Sequence, residues 1–275
     1  EMLGQGDAPA GTPVETSYEI VTGQGAFDTW MERLERAELF AFDTETTSLD
    51  YMAARIVGVS FSVEAGSAAY VPLAHDYPGA PEQLDRDSVL EKLRPILESE
   101  DYKKIGHHIK YDRNVLANHG IILSGIEFDS MLESYVLDST GTRHDMDSLC
   151  VRYLNHSNIH FEDIAGKGAR QLTFNQIALE EAGPYAAEDA DSEGEEGKFY
   201  VWTAAELREL LSEEEYRVLA PHLGFDREAN FEGRWHAHVF ADPDSLGERL
   251  GLDAETLNAR LESGRRKLFE AREQR

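Results

Sequence analysis

The chain has 275 residues, with 53 acidic against 26 basic side chains and a formal net charge of −27 at pH 7. That length carries one large domain or two modest ones, and that charge argues against a broad basic nucleic-acid surface while leaving a cation-bridged one open. No apolar run approaches a membrane span, no basic-then-apolar leader opens the chain, and position 1 is Glu rather than Met, as expected of a fragment.

Residues 1–17 are rich in Gly, Pro and Ala and read as a disordered lead. A short edge strand is expected at 18–21. An amphipathic helix follows at 27–37, with Phe27, Trp30, Met31 and Leu34 at helical spacing. The apolar run Leu39 to Phe42 then leads into Asp43 and Glu45. Period two along a strand puts both carboxylates on one face and Thr44 on the other. Two such neighbours repel unless a cation sits between them; a solvated strand end with two unrelated acids is the competing reading of this pair alone. Strands at 56–63 and 68–73, joined by a turn containing Gly66, complete an antiparallel meander.

A helix is expected at 87–97, kinked near Pro95, then a strand at 103–106 and a helix at 109–119 that stops before Gly120. Helices at 128–137 and 146–154 follow. The second carries the single cysteine, Cys150, read as a small buried apolar residue. One cysteine excludes an internal disulfide and fits a reducing cytoplasm. Residues 161–171 read as a loop and 173–182 as a helix ended by Gly183-Pro184, with Pro184 opening a further helix over 185–191. A meander followed by alternating strands and helices predicts an α/β domain with a mixed sheet flanked by helices.

Past Asp191 the texture changes. Residues 192–197 read as a flexible acidic link, 203–211 as a helix with capping-box spacing at Thr203 and Glu206, and 253–275 as a charged helix that Gly264 interrupts. The expected organisation is a lead at 1–17, a domain at 18–191 and a mostly helical appendage at 192–275 that is not a complete domain. His236 and His238 have too few companion ligands for a metal site and read as strand residues.

Two further acids bear on the Asp43–Glu45 pair. Asp112 follows Lys110-Tyr111 at a helix start, and Asp189 lies four residues after Tyr185, so that Tyr185 and Asp189 share a helix face. Four carboxylates with no nearby cysteine favour magnesium or manganese. Two such cations activate water and stabilise a leaving oxygen in phosphodiester hydrolysis, and a tyrosine hydroxyl can orient the water.

The runs Phe-Asp-Thr-Glu-Thr at 42–46, Lys-Tyr-Asp-Arg at 110–113, Arg-His-Asp-Met-Asp-Ser-Leu at 143–149, the run from Gln171 to Gly183, and Tyr-Ala-Ala-Glu-Asp-Ala-Asp at 185–191 together resemble the 3′–5′ proofreading exonuclease domain of bacterial DNA polymerase I. The resemblance implies a ribonuclease-H-like fold, two Mg2+ or Mn2+ ions on Asp43, Glu45, Asp112 and Asp189, and Tyr185 placing the nucleophilic water. It also implies contacts to a single-stranded DNA 3′ end from Thr44, Leu49, His107, His108, Arg143 and Phe161. Family members commonly carry Gln-Asn or Gln-His at the place of His107-His108; both histidines can still donate to phosphate. A ribonuclease-D-type RNA exonuclease shares the four-carboxylate plan, and a non-catalytic chimeric fragment is the other alternative. No polymerase domain stands within these 275 residues. Instead the run from Ser192 to Thr203, Phe231-Glu-Gly233 and Arg-Arg-Lys-Leu-Phe-Glu-Ala-Arg at 265–272 resemble an internal segment of spermatogenesis-associated thioredoxin-domain proteins, from which no activity carries over.

Overall fold

A computed structural model describes residues 16–137, 139–140, 143–154, 156–199, 201–229, 234–237 and 239–272. The lead at 1–15, the run at 231–233 and His238 lie outside them. The described residues form two compact units that divide between Gly197 and Lys198.

The first unit opens with β1 (Ser17–Ile20), α1 (Gln24–Arg36), β2 (Leu39–Thr46), β3 (Ile56–Glu64) and β4 (Ser67–Pro72), followed by α2 (Arg86–Leu97). Then come β5 (Lys103–Gly106), α3 (Lys110–Asn118), β6 (Ile126–Asp129), α4 (Ser130–Leu137), α5 (Met146–Leu149), α6 (Phe161–Ala165) and α7 (Leu179–Phe199). The six strands lie in the order β1-β4-β3-β2-β5-β6. The meander is present, antiparallel from β2 through β3 to β4, while β5 runs parallel to β2 and β6 parallel to β5. β1 lies parallel to β4 as the predicted edge strand.

Strand alternation assigns the two faces. Phe40, Phe42 and Phe61 join Trp30 and Leu34 of α1, Leu93 and Ile96 of α2, and Val115 and Leu116 of α3 in one core. Val57 and Tyr70 pack with Phe174, Ile177, Ala182 and Ala186 in the other. Residues on the odd side of β2 therefore face α7, and the even side faces α3.

Several elements differ from expectation for identifiable reasons. The start of the helix expected at 128–137 is β6, a four-residue strand whose Asp129 pairs with Gly106; it is too short for its alternation to outweigh a helical reading. The helix at 146–154 widens from α5 into a π turn over Cys150–Leu154. Within the expected loop, Phe161–Ala165 is helical. The expected helix at 173–182 begins as a 3-10 turn with a capping box between Thr173 and Gln176.

The largest difference is α7. It runs unbroken through Gly183-Pro184 and through the expected acidic link. Gly183 is there for close packing: a Cβ at that position would lie 2.4 Å from Cδ1 of Ile20. Pro184 near the helix start gives up one backbone bond, which burial of Ala182, Ala186, Ala187 and Ala190 offsets. Asp191 pins the helix to the sheet. Its carboxylate accepts from the Tyr18 hydroxyl (2.9 Å), the Gly66 N–H (2.9 Å) and the Ser62 hydroxyl (3.3 Å).

The second unit holds β7 (Val201–Trp202), α8 (Ala204–Leu210), α9 (Glu213–Leu223), β8 (Trp235–His236), α10 (Pro243–Leu250) and α11 (Ala254–Arg272). The Thr203–Glu206 capping box is formed, and α9 has a second, Ser212–Glu215. α11 passes through Gly264 without a break, because the missing side chain admits Leu219 of α9; a Cβ there would sit 1.9 Å from Leu219 Cδ1. Trp202, Leu207, Leu219, Phe225, Leu246 and Leu261 form the core of this unit. Among the described residues no helix is long and apolar enough to cross a membrane.

Replacing Asp191 by Ala strands the buried Gly66 N–H and frees α7 from β1 and the β3–β4 turn. A loss of about 3 kcal/mol is expected, read as a lower urea midpoint with an unchanged slope. An unchanged midpoint would show that Asp191 does not anchor the helix.

Candidate active site

The end of β2 is built to hold charge. In the β2–β3 register Asp43 lies opposite Ser60 and Glu45 opposite Gly58. Gly58 leaves the space that Tyr70 fills, since a Cβ there would meet the Tyr70 hydroxyl at 2.1 Å. Tyr70 in turn bonds His75 Nε2 at 2.7 Å, and His75 Nδ1 lies 3.0 Å from the Ile177 carbonyl. This buried row forms a firm floor beside the two carboxylates.

Asp112 arrives from the other sheet face. It is 2% exposed, and its Oδ1 accepts from the Thr44 N–H at 3.1 Å and the Thr44 hydroxyl at 2.6 Å. Thr44 thus points away from Asp43 and Glu45, as alternation requires, and there it holds the third acid. Asp43 lies near enough to Asp112 for the two carboxyls to act on one another. Next to Asp112, Tyr111 donates to the Ser48 carbonyl at 2.5 Å and lies 2.6 Å from the Thr46 hydroxyl, fixing the chain where it leaves β2. Asp189 comes from α7 and is hydrogen-bonded to Tyr185 one turn earlier. The Tyr185 ring packs against Phe161 and Phe174, with centroids 6.1 and 6.0 Å away.

Burial raises the carboxyls of Asp43, Glu45, Asp112 and Asp189 above their ordinary values. Repulsion adds to this: Asp43 acts on each of the other three, and Asp112 and Asp189 both act on Glu45. Among the described residues no three His, Cys, Asp or Glu side chains already converge as a metal cage. Asp112 is turned onto Thr44 and Asp189 onto Tyr185 instead. The donor set nevertheless fits a hard divalent cation. It is all oxygen, mutually repelling and without an Arg or Lys partner among the described ion pairs, and the buried Ser60 hydroxyl opposite Asp43 has no hydrogen-bond partner among the described residues.

The remaining expected residues are spread around this centre. Leu49 is 94% exposed just beyond β2. Phe161 is half-buried beside Tyr185. Arg143 has an 88% exposed side chain 3.3 Å from Asp145. His108 is exposed with a left-handed backbone, φ 57°, between β5 and α3. Asp129 holds that conformation, accepting from the His108 and Ile109 N–H groups at 3.1 Å each. The half-buried His107 ring lies 2.9 Å from the Ser130 hydroxyl, and burial pushes its pKa down to about 4. It is neutral at physiological pH and offers phosphate no positive charge.

Sequence reasoning passed over Asp129, Asp191 and Glu193. The first two serve backbone N–H groups, which no spacing rule flags. Glu193 had a signal, because it lies one turn beyond Asp189 as Asp189 lies one turn beyond Tyr185.

A carboxyl raised in the folded state above its unfolded value of 3.8 or 4.5 binds more protons folded than unfolded, so its contribution to stability falls as pH rises past that range. The metal-free chain is expected to lose several degrees of melting temperature between about pH 5 and pH 8. Saturating Mg2+ is expected to raise the melting temperature more at the higher pH. A metal-free melting temperature that climbs over this range would contradict the electrostatic picture.

Residues 18–192 match the 3′–5′ exonuclease family. Over 188 residues the chain is 63% identical to DNA polymerase I of Pseudomonas aeruginosa, covering 68% of this chain and 21% of that polymerase. It therefore spans about a fifth of the relative's length. A separate likeness, 34% identity over 140 residues, joins 42% of this chain to 18% of spermatogenesis-associated protein 20 of Rattus norvegicus. In fold, the chain is similar to Trypanosoma brucei RNase D, with a TM-score of 0.52 at 15% identity over 66% of this chain and 63% of that one. The sheet is that of the ribonuclease-H-like class, and the chain belongs to the 3′–5′ exonuclease family of hydrolases.

Proposed function

We propose that this chain releases nucleotides from the 3′ end of single-stranded DNA by phosphodiester hydrolysis, with two Mg2+ or Mn2+ ions held by Asp43, Glu45, Asp112 and Asp189. The observation that carries the reading is the gathering of these carboxylates from β2, α3 and α7 into one field of mutual repulsion, with a tyrosine hydroxyl at its edge. Such oxygen donors suit hard cations, which when bound activate water and stabilise the departing 3′ oxygen.

The chain's own groups do the placing. Burial, then Asp189 and Glu45, hold Tyr185 as a neutral phenol far above neutral pH. It therefore orients the attacking water by hydrogen bonding and does not take its proton. Thr44 positions Asp112 through two hydrogen bonds and reaches substrate only indirectly. The Phe161 ring beside Tyr185 offers a face for a terminal base. Leu49 stands free to wedge against that base, and Arg143 and His108 face solvent where a strand would pass. The likeness to DNA polymerase I supports a proofreading or repair role, and the single cysteine suits a reducing cytoplasm.

The purified chain is expected to release nucleoside monophosphates from a 3′-labelled single strand in Mg2+ and to stop in EDTA. Asp43→Ala and Asp189→Ala should each lower the rate at least a hundredfold, and Tyr185→Phe by roughly a hundredfold. Activity retained in both Asp variants would sink the site assignment. Faster digestion of a matched RNA would give the function to the ribonuclease-D-type alternative, and no metal-dependent cleavage at all to the non-catalytic one.

A further inference from the structure

Tyr185, Asp189 and Glu193 stand four residues apart on α7 and line one face of the helix. Glu193 is the first residue beyond the matched segment 18–192. It is 2% exposed. Its Oε1 accepts from the His107 N–H at 3.0 Å, at the turn that leads from β5 into α3 and Asp112. Its Oε2 is buried and has no hydrogen-bond partner among the described residues. No Lys or Arg offsets it among the described ion pairs; Asp43, Asp112 and Asp189 are the charges that act on it.

A buried carboxylate with one orphan oxygen, in the field of three other carboxylates, carries a cost of desolvation and repulsion. A cation in that field would remove the cost. His107 fixes one oxygen and leaves the other buried within the field of Asp43, Asp112 and Asp189. The helix supplies the register: since α7 continues through the expected acidic link, Glu193 is carried onto the same face as Asp189.

We propose that Glu193 is a fifth carboxylate ligand of the cation site, entering from α7 beside the β5–α3 turn and supplied by the segment that follows the family match. The proposal rests on the metal-site reading above. It gives residues after 192 a part in the site, as an added negative charge that draws the cation in more tightly.

The test is calorimetric titration of Mn2+ alone into the full chain, with melting curves in EDTA, for the parent, Glu193→Gln and Asp43→Asn. Glu193→Gln keeps the size and the His107 contact and is expected to weaken Mn2+ binding roughly tenfold. It should also raise the metal-free melting temperature by about 2–4 °C, because one repelling charge is gone. Glu193→Thr stands in if circular dichroism shows the Gln variant misfolded. Unchanged or tighter Mn2+ binding in the Glu193 variant, while Asp43→Asn loses it, would overturn the proposal and leave the metal site intact. Binding undiminished in Asp43→Asn would overturn the metal site itself, and the fifth ligand with it.

Discussion

Repulsion between buried carboxylates is the constraint around which the first unit is arranged. Asp43 and Glu45 share one face of β2, Asp112 crosses from the opposite face, and Asp189 descends from α7. Left alone, these groups would push the strand end and the two helices apart. Two of them find a partial remedy: Asp112 takes two hydrogen bonds from Thr44 and Asp189 one from Tyr185. These remedies keep the acids close without closing them into a cage. On the metal-site reading proposed above, a cation would meet acids that the fold already holds within one another's field.

Rigidity around that charge comes from groups that do no chemistry themselves. The Tyr70–His75–Ile177 chain fixes the floor, made possible by Gly58. Asp129 holds the left-handed His108 turn from which α3 starts. Asp191 ties α7 to β1 and the β3–β4 turn, so that Tyr185 and Asp189 approach at a set height. Strain and buried polar groups thus cluster around the acids, where a functional site concentrates them.

Much of this was legible in the residues, and the parts that were not share a physical reason. Strand alternation sufficed for Asp43, Glu45 and the opposed Thr44, and helical spacing sufficed for Tyr185 with Asp189. The meander and the strand at Lys103–Gly106 followed from apolar runs and turn residues. What failed was punctuation. Gly183 and Gly264 read locally as breaks, but each is a site of close tertiary approach, to Ile20 and to Leu219. Pro184 read as a new helix start, yet α7 continues because its alanine face is buried. The same misreading hid Glu193: once 192–197 is taken for a link, a carboxylate one turn past Asp189 loses its register. β6 was missed because four residues carry too little pattern to separate strand from helix.

The central claim is that a divalent cation resolves the repulsion at the end of β2. Anomalous diffraction from crystals of this chain grown with Mn2+ and a short single-stranded oligonucleotide tests it most directly. The account predicts Mn2+ peaks within bonding distance of the Asp43 carboxylate and of at least two among Glu45, Asp112, Asp189 and Glu193. Saturating Mn2+ with no peak at Asp43, or with the ions bound elsewhere, would contradict it.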